Sequence, residues 1–410
     1  MSEVDLLSWP RVRYLTTPRP LSPFFPALIS PVARKRKFHP AVDAVLSTLA
    51  RCATAPVSVA GFNTASRCAV SLADLVAKVD RKHMVRAQRN LRDAYPHWSQ
   101  EQVDATALGC FRHMFQLGAE FIHTPRLITR DSAIQQITFT NMRDSVRTLL
   151  SDRPVLLISG HIGNWELVGY AIAMLGFDMA AVYRPLDLRG IDAWVREGRE
   201  SKGLHLLDKF GAARSVPACI QQGLPIGLVA DQSGGDRGYF TPFFGRLTST
   251  YKIVALTAMQ YGATIVCGNA RRLRPDESQP AGIWQGTHAQ AARDATTLAR
   301  IDLAGNMRYA VEIHDVFGPA DWEGNRDAPY YISARFRRAL ESMVRAAPEQ
   351  YFWMHRIWRS RPAHERQGKP FPEQLEAKLR NLPWLSSGEV DAIIARSNAD
   401  AAQLEVLQKM

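Results

Sequence analysis

The stretch Arg153–Gly176, RPVLLISGHIGNWELVGYAIAMLG, constrains the fold of this chain more than any other. Val155 to Ile158 is a short apolar run of the length and branched character of a buried strand. Ser159-Gly160 interrupts it, and His161-Ile162-Gly163-Asn164-Trp165-Glu166 follows. Leu167, Val168, Ala171, Ile172 and Leu175 then recur at helical spacing until Gly176, a residue suited to close a helix. A strand, a polar turn holding a histidine, and a helix opening on a carboxylate are expected.

Residues five apart on one helix point about 140° away from each other. His161 and Glu166 therefore converge only if His161 lies before the helix, as the Ser-Gly break implies. A carboxylate beside an imidazole raises its proton affinity and fixes its tautomer, which suits a general base. The bland alternative is a satisfied histidine next to an incidental helix-terminal glutamate, since short motifs recur by chance.

From Ile137 to Gly268 the pattern alternates strand and helix, the signature of an α/β sheet. Strands are expected at Ile137–Thr140, Val155–Ser159, Met179–Tyr183, Leu204–Leu207, Ile226–Ala230 and Thr264–Gly268, with Ala310–Phe317 as a candidate last strand. Helices are expected at 142–151, 165–175, 190–202, 212–222 and 249–261. Polar residues at the C-terminal ends of such strands carry weight, because open α/β sheets bind ligands at that edge. Ser159–His161, Tyr183-Arg184-Pro185, Asp231-Gln232 and Gly268-Asn269 fall there. Convergence of His161, Glu166, Arg184 and Asp231 would assemble a base, carboxylates and a cation.

Upstream, residues 41–124 read as helices. Ala69–Val79 is amphipathic, Arg81–Ala94 is basic, and Ser99-Gln100-Glu101-Gln102 reads as a capping box launching Val103–Phe121. Residues 1–40 form a basic, proline-rich arm with the run Arg34-Lys35-Arg36-Lys37. Its prolines forbid a long helix. The arm is either a flexible tether or a membrane contact in which Phe24, Phe25, Leu28 and Ile29 insert. Downstream of the core, Pro329–Ala347 is a helix, Pro348–Trp358 is dense in aromatics and bases, and 363–410 reads as a polar helical tail. The division expected is thus an arm (1–40), a domain (41–362, with 41–124 helical and 137–362 α/β) and the tail.

A formal charge of +12 over 410 residues favours an anionic partner: nucleic acid, anionic lipid or a phosphorylated substrate. Aromatic-basic signatures of nucleic-acid recognition are absent, so no nucleic acid is expected. Five scattered cysteines, an odd number without a CxxC pair, argue against a disulfide framework or a zinc site and fit a reducing cytosolic environment. No clean signal peptide precedes the fold, and no stretch offers the roughly 20 mainly apolar residues of a membrane span. A soluble or peripheral protein without a metal is expected.

The motifs in this order resemble one family. NLRDAYPHWS (Asn90–Ser99), GHIGNWEL (Gly160–Leu167), YRP (Tyr183–Pro185), the Arg199…Gly203 pair, LVADQSGGDRGYFTPFFGRLTST (Leu228–Thr250) and PEQYFWMHRIWRSRP (Pro348–Pro362) look like the LpxL/HtrB-like lysophospholipid acyltransferases. These are the late acyltransferases of lipid A assembly, with phosphatidylinositol mannoside acyltransferases as relatives. The resemblance implies a glycerolipid-acyltransferase-like α/β fold, a central mixed β-sheet flanked by helices with an N-terminal helical region. It implies acyl transfer from an acyl carrier protein or coenzyme A thioester to a glycolipid hydroxyl, without cofactor, at an anionic membrane surface on the cytoplasmic face of the inner membrane.

On the family's HxxxxD/E motif, His161 is the expected base and Glu166 its orienting or charge-balancing partner; the chain has no GxSxG elbow for an acyl-enzyme. Asn164, Arg184, Arg199, Asp231 and Gln232 are the expected substrate contacts. Packing salt bridges for the arginines and a turn-capping role for Asp231 are the alternatives. Asp231-Gln232 is also a candidate relay to His161. Phe243-Phe244-Gly245 shapes either an acyl pocket or plain core, and His355 and Arg356 are expected to be structural. The family usually carries an apolar N-terminal anchor, for which residues 41–66 are a poor substitute. Other readings in view are a phospholipid, mannoside or specialised-metabolite acceptor, or a non-catalytic lipid-binding homologue.

Overall fold

A computed structural model describes residues 37–201, 203–274, 276–277 and 305–409. The proline-rich arm, apart from Lys37 and its neighbours, lies outside the described residues, and so does the expected insertion by Phe24, Phe25, Leu28 and Ile29. In chain order the elements are α1 (Pro40–Val59), α2 (Phe62–Val79), α3 (Arg81–Ala94), α4 (Gln100–Leu127), α5 (Arg130–Gln136), β1 (Ile137–Thr140), α6 (Arg143–Leu149), β2 (Val155–Ser159), α7 (Trp165–Met174) and β3 (Met179–Tyr183). They continue as α8 (Arg189–Glu200), β4 (Leu204–Asp208), α9 (Ala212–Gln221), β5 (Ile226–Val229), β6 (Tyr239–Phe243), β7 (Arg246–Thr250), α10 (Lys252–Tyr261), β8 (Thr264–Arg272), β9 (Tyr309–Phe317), α11 (Ala328–Ala346), α12 (Glu373–Arg380) and α13 (Ser387–Lys409).

Seven strands form one mixed sheet in the order β1-β9-β8-β2-β5-β3-β4. Only the β8–β9 pair is antiparallel. All five residues of β2 are buried, as a central strand covered by helices on both faces demands. The seven expected strands are all present, within one residue except that β8 runs on to Arg272. A bulge at Cys267/Gly268 shifts its register against β9. The capping box at Ser99 is formed by both of its bonds: the Gln102 N–H donates to Ser99 Oγ at 3.2 Å, and the Ser99 N–H to Gln102 Oε1 at 2.9 Å.

One expected element is corrected. The helix expected from residue 249 begins at Lys252, and Tyr239–Thr250 is instead an antiparallel hairpin, β6–β7. Its turn is Phe244-Gly245, both at positive φ, so the aromatic motif is a turn and core element. Phe243 and Phe244 are buried against Tyr95, Trp353 and Trp358 and do not line the cleft described below. Helix α11 packs over this hairpin, α10 and β8.

The tail is not merely polar. Asp400 on α13 is buried and accepts from Arg246 of β7 at 2.7 and 2.8 Å and from Arg361 at 2.7 Å. Arg246 also reaches Asp93 of α3 at 2.7 Å, and Arg361 chelates the fully buried Glu365. Four separated segments are tied by one ion cluster.

Candidate active site

The turn after β2 is pinned from three directions. Gly163 sits at φ 58°, and a Cβ there would come within 2.2 Å of the Ala270 carbonyl of β8, so only glycine fits. The Asn164 N–H donates to that same carbonyl at 2.7 Å, the Gly163 N–H to the Gln350 carbonyl at 3.0 Å, and the Phe352 N–H to the His161 carbonyl at 3.0 Å. Asn164 is itself buried. Its Oδ1 caps α7 by accepting the Leu167 N–H at 3.0 Å, and its Nδ2 donates to Glu120 at 2.9 Å. Glu120 in turn holds Arg272. The expectation that Asn164 contacts substrate gives way to this: its amide is consumed by the cap and by Glu120, and it does not line the cleft.

His161 stands before α7, as the spacing requires. Its nearest carboxylate, however, is Asp231 at the end of β5, not Glu166. Asp231 Oδ1 lies 2.8 Å from His161 Nδ1, and Oδ2 accepts the His161 backbone N–H at 3.0 Å. A carboxylate accepts only, so Nδ1 carries the proton and Nε2 is left with its lone pair. Gly160 makes room for the pair, since a Cβ there would lie 3.1 Å from the Cβ of Asp231. Beneath it the fully buried Arg337 of α11 donates to the Asp231 carbonyl at 2.7 Å and to Thr250 Oγ1 at 3.2 Å. Tyr351 adds its hydroxyl beside the Asp231 carboxylate.

Burial opposes charge on both members of the dyad, but their mutual attraction wins. The Asp231 carboxyl is held at about 2 by His161 and, further off, Arg337. The His161 imidazole is raised above its ordinary value by Asp231 and, more weakly, by the charge of Glu166. Glu166 thus acts on His161 through space. Both its oxygens are engaged by Arg199 of α8, at 2.5 and 2.7 Å. Of the alternatives for Arg199, the structure contains the ion pair, although Arg199 and Glu166 both border the cleft.

That cleft opens at the C-terminal edge of the sheet and holds about 960 Å³. His161, Glu166, Arg184, Arg199 and Gln232 line it together with mainly apolar residues such as Ile172, Leu206, Val216, Pro217 and Val254. Trp165 meets the His161 ring edge-on at 4.9 Å, and Phe352 lies at 6.1 Å, its ring tilted. Arg184 is exposed at the end of β3. The structure therefore brings His161, Asp231, Gln232, Arg184, Glu166 and Arg199 to one edge and leaves out Asn164. Sequence reasoning missed Arg337 and Tyr351. Neither carries a local signal, because a lone arginine in an amphipathic helix reads as solvated and a tyrosine in an aromatic run reads as core.

The arrangement can take a proton from a group bound at the mouth of an apolar cleft and return it. Comparisons with known proteins identify the family. A family model described as bacterial lipid A biosynthesis acyltransferase matches residues 38–299. The chain is 23% identical to a lipid A biosynthesis palmitoleoyltransferase of Escherichia coli over 68% of its own length and 79% of the relative's. It is 19% identical to a lipid A biosynthesis acyltransferase of Haemophilus influenzae over 68% and 77%. With more than half of its length matched, this chain belongs to the bacterial lipid A biosynthesis acyltransferase family.

Proposed function

We propose that the protein moves a fatty acyl chain from an acyl thioester, carried by acyl carrier protein or coenzyme A, to a hydroxyl of a lipid A-like glycolipid. The carrying observation is the His161–Asp231 dyad at the mouth of a largely apolar cleft. His161 Nε2 takes the proton of the acceptor hydroxyl as its oxygen attacks the thioester carbonyl. The tetrahedral intermediate collapses to an ester, and the imidazolium returns the proton to the departing thiolate. Asp231 holds the tautomer and balances the imidazolium. Glu166, through its charge and its pairing with Arg199, contributes to the same field. Arg184 and Gln232 are the substrate contacts at the mouth. The acyl chain occupies the apolar wall.

The reaction takes place at a membrane surface. No helix of the described residues is long and apolar enough to cross a bilayer, but exposed apolar side chains crowd the elements around the cleft. They include Val42, Val45 and Leu49 on α1, Phe210 before α9, and Ile253 and Leu256 on α10. Beside them Lys209 and Lys252 supply cations suited to anionic headgroups. Thioester donors of this kind are cytoplasmic, which places the enzyme peripherally on the cytoplasmic face of the inner membrane.

The test compares lipid extracts by mass spectrometry from cells lacking the protein and complemented with wild type, His161→Ala, Asp231→Asn or Glu166→Gln. Wild type restores one acyl-chain mass increment on a glycolipid and His161→Ala does not. Full restoration by His161→Ala at normal abundance would remove the general-base assignment.

A further inference from the structure

The ends of β3 and β4 lie side by side at the cleft. Tyr183 is in register with Asp208, and the Lys209 N–H donates to the Tyr183 carbonyl at 3.0 Å. The next pair, Arg184 and Lys209, therefore leave the sheet as neighbours, with backbones about 4.8 Å apart. Both line the cleft, as Lys252 does not, and both are exposed at its mouth. Among the described residues neither side chain has a carboxylate partner; Lys209 Nζ stands 5.0 Å from the centre of the Phe210 ring. The carboxylates of this corner are committed elsewhere. Asp187 is held by Lys37 at 2.6 Å, Asp192 accepts the Leu186 N–H at 2.7 Å, and the buried Asp208 accepts the Phe210 N–H at 3.0 Å. Helix α9 starts three residues on. Its cap, Gly211, offers no side-chain oxygen to the first-turn N–H groups, and Ala212 and Ala213 line the cleft. The positive end of the helix thus adds to the two cations.

Strand order sets how far this corner lies from the base. His161 follows β2, and the sheet continues β2-β5-β3-β4. Two strand spacings separate it from Arg184, about 10 Å, and three from Lys209, about 14 Å. Val229 and Gln232, on and just after the intervening β5, line the cleft between them. A bound phosphate here must belong to a group whose reacting end lies that far away. In a 4′-phosphopantetheine thioester about thirteen bonds link phosphorus to sulfur, an extended reach of about 15 Å. A hydroxyl about four bonds from its own phosphate, as on a small headgroup, reaches about 5 Å. The longer arm fits the gap and the shorter does not.

We propose that Arg184 and Lys209 form a phosphate-ester subsite that holds the phosphate of the thioester donor's 4′-phosphopantetheine arm. The arm then runs across the end of β5 and brings its sulfur to His161. A guanidinium meets phosphate oxygens in pairs and an ammonium meets them as a point charge. The two together seat the phosphate at the mouth while the acyl chain enters the apolar cleft. The choice of the donor's arm rests on the acyl-transfer reading; the phosphate subsite itself does not.

Equilibrium binding to the full chain tests this without requiring turnover. One comparison sets 4′-phosphopantetheine against pantetheine, and a second sets glucose 1-phosphate against glucose as the stand-in for an acceptor's phosphorylated sugar. Wild type is expected to bind 4′-phosphopantetheine at least tenfold more tightly than pantetheine and to show no such preference in the sugar pair. Arg184→Gln and Lys209→Gln, both at exposed positions, are each expected to reduce the preference at least fivefold and to leave pantetheine binding unchanged. Lys369→Gln, at an exposed lysine before α12 that does not line the cleft, controls for the lost charge and should keep the preference. A preference that survives in both cleft variants, or that Lys369→Gln lowers as much, overturns the subsite. A preference confined to the sugar pair and lost in the cleft variants overturns the assignment to the donor's arm. If the binding results hold but the protein transfers no acyl chain, the acyl-transfer reading fails and the subsite stands.

Discussion

Asp231 and Asp400 are buried to the same degree, each 5% exposed, and each sits in a charged cluster. Their surroundings differ in what is left over. Around Asp400 the charges consume one another: two arginines supply three donors to its two oxygens, and the remaining guanidinium nitrogens go to Asp93, Glu365 and the Leu247 carbonyl. Around Asp231 one atom is unspent. His161 gives Nδ1 to the carboxylate and keeps Nε2 at a cleft. A closed cluster joins segments, and an open one can do chemistry. Burial of charge alone does not separate the two.

The comparison can be broken by exchanging the consequences. His161→Ala is expected to lower acyl transfer by about 10²–10⁴-fold with a smaller loss of stability than Asp400→Ala, because Asp231 keeps the residue 161 backbone N–H and the neighbouring Arg337, checked by a thioester-release assay and a thermal scan. Asp400→Ala should do the reverse. It strands two buried guanidinium groups, costing about 3–5 kcal/mol of stability, and leaves the specific activity of the folded fraction intact. A denaturant titration run beside the assay reads both. If Asp400→Ala inactivates a protein of unchanged stability, the distinction fails.

Asn164→Ala probes the boundary between the regions. Loss of the α7 cap and of the bond to Glu120 is expected to destabilise by about 2 kcal/mol, with activity falling only as the turn loosens, measured by the same two assays. The smallest effect concerns the cleft's rim. Replacing Leu256 with Asn should weaken binding to anionic vesicles by about 1 kcal/mol, roughly fivefold, with little change on a detergent-dispersed acceptor. Cosedimentation reads it.

Much of the sheet was legible because its strands are short apolar runs bounded by breakers, and periodicity survives without knowledge of the fold. The β6–β7 hairpin was not, since its turn is Phe244-Gly245 rather than an asparagine- or aspartate-glycine pair and its sequence reads as an aromatic motif. At the site, His161 and Asp231 were both visible as strand-end residues, but their pairing stood only as one alternative, a relay, beside substrate binding and turn capping. They lie 70 positions apart, and only the adjacency of β2 and β5 brings them together. Glu166, five residues from His161, was the nearer candidate for partner. The Asp400 cluster gave no signal because each member taken singly looks like a solvated charge.

The pH dependence of kcat/KM, measured for wild type, Asp231→Asn and Glu166→Gln, tests the account most directly. A base must be neutral, and Asp231 raises the imidazole's proton affinity. The wild-type rate should therefore rise with pH about a midpoint above the ordinary histidine value. Removing the Asp231 charge takes away what stabilises the imidazolium, so the midpoint should move to lower pH while the plateau falls. Glu166→Gln should move it in the same direction and by less. An unmoved midpoint in Asp231→Asn, or a larger shift in Glu166→Gln, would contradict the assignment of Asp231 as the partner of His161.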